Sequence, residues 1–424
     1  MKFVVIGVNY APEISGIAPY TTAMSEGLAA SGHDVEVITG IPHYPQWSNY
    51  TNFTGLTKVE KINGVRVRRV RHVIGSGGMG LSRILQELTF GLGAALSPWH
   101  RPDVVLCVSP ALMSTGIQVL RSKLPGQPPV AVWVQDLYSN GAREIGGSNI
   151  KGRLLEGIES RILRSADGVL VIHDRFRRHV VDDLGVDADK VFVSRNWSHI
   201  DVSLSADPAE VRKKYFGDAE VVAVHTGNMG AKQGLENIVE AARLAEQQGF
   251  KVVFGLVGNG SRRQALEEAG QGIKNLVFVP SLDDAEYAAM LQCADVLIVN
   301  EKPGLRESAV PSKLTSYFIQ GKPVVAATEP DSATSDEVRA AGAGPIITPG
   351  EPAALLSAVE QMAGSASLAT QYGASARRFA EENLAADSAV ARVSGWLSSF
   401  PRSAHTPATH QTLAPAGEHT KEME

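Results

Sequence analysis

EVVAVHTGNMGAKQG, residues 220–234, sets an apolar run against a glycine-rich loop, and a helical pattern over Leu235–Gln248 follows. A short apolar run closed by glycine and followed by a helix reads as one strand–loop–helix unit of a parallel sheet. KVVFGLVG, NLVFVP, DVLIVN and PVVAAT continue as strands with helix-length segments between them. The first half keeps the same rhythm. KFVVIGV is a strand, Tyr20–Ser31 a helix closed by Gly32, and DVEVIT, DVVLCVS, VAVWVQD, GVLVIH and KVFVS are further strands. Such alternation predicts an α/β protein of two Rossmann-like domains, each a mostly parallel sheet covered by helices. Ligands of such sheets bind outside the carboxyl ends of the strands, so the two domains should face a central cleft.

Between the halves, Asn196–Pro208 has no sustained period and reads as a linker. This gives a first domain over 1–198 and a second over 209–385, close to the ~180–200 residues that suit one core. After Glu351 two helical segments run to about Phe400, 386–400 forming the last helix. Residues 401–424 are polar, rich in Thr, His, Pro and Glu, and too poor in apolar residues to order themselves. Hydrophobic residues make up 44% and charged ones 20%, which excludes disorder of the whole chain. Cys107 and Cys293 each sit in an apolar run and read as core residues of a reduced cytoplasmic protein. No secretory signal is visible. The longest soft apolar stretch, Leu88–Trp99, is broken by glycines and Pro98 and falls short of the ~20 residues a span needs.

The net charge of −5 is unevenly shared: residues 1–200 carry +4 and the remainder −9. A basic first half suits an anionic partner such as phospholipid or a lipid-linked pyrophosphate, or it reflects simple drift of surface charge between domains. Nucleic acid is not expected, since no basic run is interleaved with aromatics.

A nicotinamide cofactor needs GxGxxG after the first strand and a carboxylate at the end of the second. GVNYAPEISGIAPY has glycines only at Gly7 and Gly16, and the second strand ends in Thr39-Gly40, so both requirements fail. Gly16 is either a turn glycine or the place where backbone N–H groups approach a phosphate or sugar. In the loop Gly227–Gly234, small residues and Lys232 suit a diphosphate, although Lys232 also reads as a solvated lysine. Pro311-Ser312 open another helix, with Ser312 as its cap and Lys313 beside it, a second device for holding phosphate. ILQELTFGLGAALSPW, residues 84–99, is either an amphipathic helix facing a membrane, flanked by Arg83 and Arg101, or a buried core helix; the core reading needs fewer assumptions. Arg66, Arg68, Arg69 and Arg71 add a basic strand nearby. Asp187-Ala188-Asp189 spells a metal-binding DxD, but it lies in a helix-to-strand turn, where Asp is common.

Seven stretches in order, NYAPEISGIAPYTTAMSEGLAASGHDVEVIT, IPHYPQW, VQDLY, SRNW, HTGNMGAKQGLENI, LVGNG and PSKLTSY with QGKPVVA, resemble a family 4 glycosyltransferase of the GT-B fold. Within it, the WcaI-like enzymes of colanic-acid and related exopolysaccharide synthesis are the most similar group. The resemblance implies a hexosyltransferase-type enzyme that needs no metal and retains anomeric configuration. It also implies C-terminal helices that cross back onto the first domain. The donor, a GDP- or UDP-linked sugar, would sit mainly on the second domain, and a lipid-linked saccharide acceptor on the first, at the inner membrane face. Asn228 stands where many members have an arginine, which leaves Lys232 as the loop's cation. Ser308 and Ser316 stand where many have glutamates; Lys313 takes over part of that work, with Glu301 as a partner for sugar hydroxyls. Gly16, Gly227 and Ser312 complete the donor contacts. Gln135 and Asp136 match a position facing the cleft, where Asp136 either orients an acceptor hydroxyl or caps the next helix. His43 is placed near the acceptor, and His33 is read as a structural cap. A sugar-nucleotide epimerase on the same fold and a non-catalytic membrane-associated assembly protein are the alternatives.

Overall fold

The computed structural model describes residues 1–13, 16–44, 47–49, 51, 53–75, 80–139, 150–197, 206–306 and 310–401. Ser308, most of the linker and the tail beyond Pro401 lie outside the described residues. The first sheet holds β1 (Lys2–Gly7), β2 (Asp34–Gly40), β3 (Thr57–Ile62), β4 (Val65–Val70), β5 (Val104–Ser109), β6 (Val130–Val134), β7 (Gly168–Val171) and β8 (Val191–Val193). Their order is β3-β4-β2-β1-β5-β6-β7-β8. The second sheet holds β9 (Val221–Thr226), β10 (Val252–Val257), β11 (Leu276–Val279), β12 (Val296–Asn300), β13 (Val324–Ala327) and β14 (Ile346–Ile347), in the order β11-β10-β9-β12-β13-β14. Every pairing is parallel except the β3–β4 hairpin. Strand order reverses beside β1 and beside β9, which puts a binding crevice at the carboxyl end of each.

The sequence reading locates the strands buried on both faces and the edges β8 and β11, and overlooks the edges β3 and β14. β3, TKVEKI, is largely exposed and carries no apolar run, so its hairpin with the basic strand β4 is silent. Within β4 the arginines are mostly consumed. Arg66 and Arg68 pair with Glu36, and Arg69 bonds Glu60 and the Ala11 carbonyl. Among the described residues three helices, not two, follow Glu351: Pro352–Gly364, Ala366–Asn383 and Ala386–Ser398. The hydroxyl of Ser365 accepts from the Leu368 N–H, starting a separate helix where a continuous one was expected.

The last helix belongs to the first core. Ala389, Val390, Val393 and Leu397 pack with the residues of β1 and the helix Ala18–Ala30. Gly27 makes the approach possible, since a Cβ there would stand 2.7 Å from Val390 Cγ2. His33 Nε2 lies 2.8 Å from Ser394 Oγ, so this histidine ties the first helix's end to the crossing helix. Elsewhere the joint between domains is polar. Arg195 bonds Glu337 at 3.0 Å, Arg178 bonds Asp336 at 2.9 Å, and Arg175 reaches the Asp331 carbonyl.

The helix Leu81–Leu96 is only on one side the core helix the sequence favoured, with Phe90 and Ala94 in the first core. Gln86, Glu87, Phe90, Gly91 and Ala94 are its buried residues, whereas Leu81, Leu85, Leu92 and Leu96 are exposed. Arg83 does not flank it as a surface charge; its guanidinium turns to Glu87 and to the Pro110 carbonyl. Among the described residues no helix is long and apolar enough to cross a membrane.

Leu397→Ala removes a fully buried side chain from the first core although it stands in the last helix. The change should cost about 2–5 kcal/mol and lower the unfolding midpoint of the first domain. An unchanged calorimetric trace would show that the crossing helix does not hold that domain.

Candidate functional site

The end of β9 brings His225 and Thr226 to the crevice, and the chain then turns through Gly227, whose φ is +111°. Only glycine takes that conformation without strain. Gly258, at φ +131°, faces it so closely that a methyl group there would collide with the Gly227 carbonyl oxygen. The loops after β9 and β10 are further joined by the Met229 N–H, which donates to the Asn259 carbonyl at 2.8 Å. HTGNMG and LVGNG thus form one rigid double loop. A cavity of about 380 Å³ opens beside it, lined by Thr226, Gly227, Asn228 and Gln233, by Tyr287, and by the helix start Pro311–Ser316. Tyr20 of the first domain closes its other side.

Lys313 is the cation of this cavity. Its Nζ lies 3.0 Å from His225 Nε2, while His225 Nδ1 lies 3.2 Å from the Ile298 carbonyl. A carbonyl only accepts, so Nδ1 carries the ring proton and Nε2 receives from the lysine. Burial and the neighbouring lysine keep His225 well below the usual histidine pKa, which fixes it as a neutral acceptor. The Lys313 ammonium is itself costly here: burial lowers its pKa from 10.5 to about 7, and the Glu301 carboxylate pulls the other way. Around it, Tyr287 Oη meets Thr226 Oγ1 at 2.9 Å and Tyr317 Oη takes the Thr226 N–H at 2.8 Å. Desolvation raises both phenols, so they act as neutral hydroxyls.

Across the cleft, Tyr20 stands in the first helix after the Gly16 loop and packs edge-on against Trp197 at 5.5 Å, which stacks on Trp133. Gln135 and Asn196 exchange two amide hydrogen bonds, of 3.2 and 2.8 Å. Trp133 and Gln135 of one stretch and Asn196 and Trp197 of the other are therefore one packed unit behind the cleft-facing tyrosine. Asp136 is exposed at the end of β6 and accepts the Leu137 N–H at 2.9 Å. Gly16 has φ +65° and Tyr44 packs 3.5 Å from where its Cβ would be. It is exposed beside this wall but does not line the cavity.

Not every expected residue meets the others. His43 is fully buried, with Nδ1 on the Ile41 carbonyl and Nε2 against Gln86, so it cannot touch an acceptor and serves the core. Its backbone N–H and that of Tyr44 both bond Glu13, whose carboxylate pins the loop after β1 to the loop after β2. Lys232 is exposed and outside the cavity lining, because the turn Ala231–Gln233 aims Gln233 inward, where Gln233 Oε1 takes the Gly230 N–H. Glu301 is buried behind the site, both carboxylate oxygens taken by the hydroxyls of Thr328 and Thr334. Ser312 lines the cavity but does not cap its helix with its side chain; its carbonyl receives Thr315 instead. Asp187 accepts the Asp189 N–H as a turn cap, and among the described residues no three His, Cys, Asp or Glu gather as a metal site would. Sequence reasoning missed Tyr20, His225, Thr226 and Tyr287. The first three lie within quoted motifs and are recoverable as the residues flanking each loop. Tyr287 lies in a helix with no signal.

Residues 15–197 match the Glycosyl transferase 4-like domain and residues 220–365 match Glycosyl transferases group 1. The chain is 30% identical over 346 residues to the colanic acid biosynthesis glycosyl transferase WcaI of Escherichia coli K12, covering 78% of this chain and 84% of WcaI. It is 27% identical over 300 residues to the glycosyltransferase WbjE of Pseudomonas aeruginosa, covering 66% and 71%. Among solved structures, Anabaena HepE in complex with UDP superposes with a TM-score of 0.69 at 15% identity, over 94% of this chain and all of HepE.

Lys313 gives the site a pH dependence of definite sign. Between about pH 7 and 10.5 the unfolded chain holds a proton on this residue that the folded chain lacks. Its contribution to stability therefore rises with pH across that window. Lys313→Met should flatten the rise in unfolding midpoints. A phosphate anion in the cavity would draw the proton back, so binding above pH 7 takes up protons and weakens as pH climbs. Titration calorimetry in two buffers of different ionisation enthalpy reads this directly; equal heats would refute it.

Proposed function

Because this chain belongs to the group 1 glycosyltransferases of the GT-B fold, we propose that its cleft transfers a sugar from a nucleoside diphosphate to a lipid-linked saccharide. One observation carries the reading. Gly227 and Asn228 of the double loop, Lys313 and the first-domain Tyr20 line one cavity of about 380 Å³. When the glycosidic bond breaks, charge gathers on the departing diphosphate. A cation at that point stabilises the transition state more than the ground state, by ~3–4 kcal/mol for one good donor. Lys313 is poised for this role, since its positive charge is poorly compensated until an anion arrives. Gly227, Asn228 and Ser312 would contact the donor with it. Lys232 precedes the cavity-lining Gln233 and is the second cation within the loop's reach. Glu301, already bonded to two threonines, would act through its field on Lys313 and not as a direct sugar contact.

In this reading the acceptor rests on the first domain, where the exposed Asp136 carboxylate and Gln135 stand at the end of β6. Asp136 would orient the attacking hydroxyl. Approach of the two domains excludes water and suppresses donor hydrolysis. Transfer proceeds without metal and retains anomeric configuration, as the family resemblance implies. HepE is solved with UDP and with UDP-glucose, which makes UDP-sugars the first donors to test and GDP-sugars the second. WcaI's name supports a place in exopolysaccharide synthesis, at the inner face of the cytoplasmic membrane, where lipid-linked saccharides would be met.

A thermal-shift screen against UDP, GDP and their sugars should find one nucleotide that stabilises the chain by about 2.7 kcal/mol at 100 times its dissociation constant. Stabilisation by none of them would favour a non-catalytic assembly role. Lys313→Ala should lower turnover at least ~100-fold with folding intact, and Lys232→Ala should do the same if that lysine also steadies the diphosphate. Near-normal kinetics in both would overturn the assignment.

A further inference from the structure

The last described residues before the linker, Ser194–Trp197, are each committed to a different partner. The Ser194 N–H donates to the Val171 carbonyl at 2.9 Å, which fixes the segment to the end of β7. Arg195 crosses to the second domain. Its Nε donates to the Glu337 carboxylate at 3.0 and 3.3 Å, while its Nη2 is held by Asp174 of the first domain at 2.8 Å. Asn196 exchanges its amide bonds with Gln135, next to Asp136. Trp197 packs edge-on against Tyr20, the first-domain wall of the cavity. The Arg195 contact differs from the exposed pairs beside it. The Glu337 side chain is 8% exposed and that of Arg195 19%. Burial pushes the Glu337 carboxyl up, and the arginine draws it back down. The guanidinium also lies 5.5 Å from the ring of Phe379, which meets Phe318 edge-on at 5.9 Å. Phe318 belongs to the helix Lys313–Ile319, whose first residue is the cation of the cavity.

We infer that Arg195 is a positioning residue, which sets the Tyr20 wall of the cavity against its Lys313 wall. Two short routes lead away from this side chain. One runs through Trp197 to Tyr20, and the other through Phe379 and Phe318 to the helix that starts at Lys313. The pairs of Arg175 and Arg178 with Asp336 are more open to solvent and yield when the domains tilt. Arg195 is the point about which they turn. The position requires an arginine. A planar fork reaches Glu337 and Asp174 together and brings its guanidinium near Phe379, whereas a lysine ammonium is a point charge on a flexible stem. Asp174 orients the fork from the first domain, so its direction is fixed as well as its charge. The acceptor side is tied in by the next residue. The backbone that carries Arg195 to Glu337 carries Asn196 to Gln135, so a displaced pivot also disturbs the end of β6. The inference rests on the proposed function in one respect, that the cavity takes the donor nucleotide.

Interdomain distance and nucleotide affinity test it together. Nitroxide labels at Leu124→Cys and Lys251→Cys, one exposed position in each domain, report the joint by pulsed electron paramagnetic resonance, since Cys107 and Cys293 are buried. Arg195→Lys should broaden or shift the distance distribution relative to the unsubstituted joint, with the fold intact by circular dichroism. Loss of the arginine leaves Glu337 buried without its partner. Arg195→Met/Glu337→Met, which leaves no buried charge behind, is therefore the second variant and should show the same change. Whichever of UDP and GDP binds the wild-type chain in titration calorimetry should bind Arg195→Lys at least about tenfold more weakly. Tyr20→Ala should weaken binding in the wild-type background, but by no more than about twofold once Arg195 is already lysine. Equal losses in both backgrounds are the mark of independent sites and would overturn the inference. So would an unchanged distance distribution in both variants, whatever the nucleotide does. A changed distribution in a chain that binds neither nucleotide would sink the donor reading and leave the pivot standing.

Discussion

A lysine held against a buried, neutral imidazole is the constraint on which the site depends. Lys313 and His225 stand 3.0 Å apart at the end of β9, with His225 fully buried and Lys313 at the cavity wall. An ammonium in such a place is held against the cost of desolvation by one ring nitrogen and the field of Glu301. The rest of the cavity follows from keeping that arrangement in place. Glu301 is fixed by Thr328 and Thr334, His225 by the Ile298 carbonyl, and Thr226 by two tyrosine hydroxyls. The charge is underpaid in hydrogen bonds on one side only, the side open to the cavity. An anion arriving there relieves a cost already built into the folded chain, which is the sense in which a site is preorganised.

The two domains are joined by unlike materials. The crossing helix Ala386–Ser398 is apolar and packs into the first core, so it moves only with that domain. The contacts of Arg175, Arg178 and Arg195 with the loop and helix that start at Asp331 are polar and partly exposed. The exposed pairs of Arg175 and Arg178 with Asp336 contribute about 0–1 kcal/mol each and exchange readily for water, whereas the Arg195–Glu337 pair is largely buried. A joint with one strong apolar tether and several weak polar ones permits a change of angle without separation. That is what a site assembled from Tyr20 on one domain and Lys313 on the other requires.

How much of this was legible in the sequence depends on which residues bury both faces. Strands such as VVLCVS and VAVWV are apolar throughout because helices cover them on each side, and they announce themselves. The edge strand TKVEKI has no such obligation and stays silent. Glycine-rich loops were legible for the same kind of reason: Gly227 and Gly258 sit at positive φ in mutual contact, a demand only glycine meets. Side-chain direction within a loop was not. Lys232 and Gln233 are neighbours, and the turn that aims Gln233 at the cavity and Lys232 at solvent depends on a hydrogen bond to the Gly230 N–H. His43 fails differently. It lies in a quoted motif, yet the motif is held by Glu13 binding two backbone N–H groups, so the histidine is part of a loop clamp.

The helix Leu81–Leu96 shows where periodicity stops being informative. A period of 3.6 residues says that leucines share a side; it does not say which side faces the core. What decides the matter is the price of the alternatives for the other side. Burying Leu85 and Leu92 would turn Gln86 and Glu87 outward, leaving the Tyr138 hydroxyl, the Met113 N–H and Arg83 without their shared carboxylate. Each unmatched buried group costs about 1–3 kcal/mol, more where charge is involved, and Gly91 and Gly93 would lose their close seats against Ser114 and Val70. Exposing a few leucines is the cheaper arrangement in water, so the polar side of the helix takes the core and the leucines take the surface.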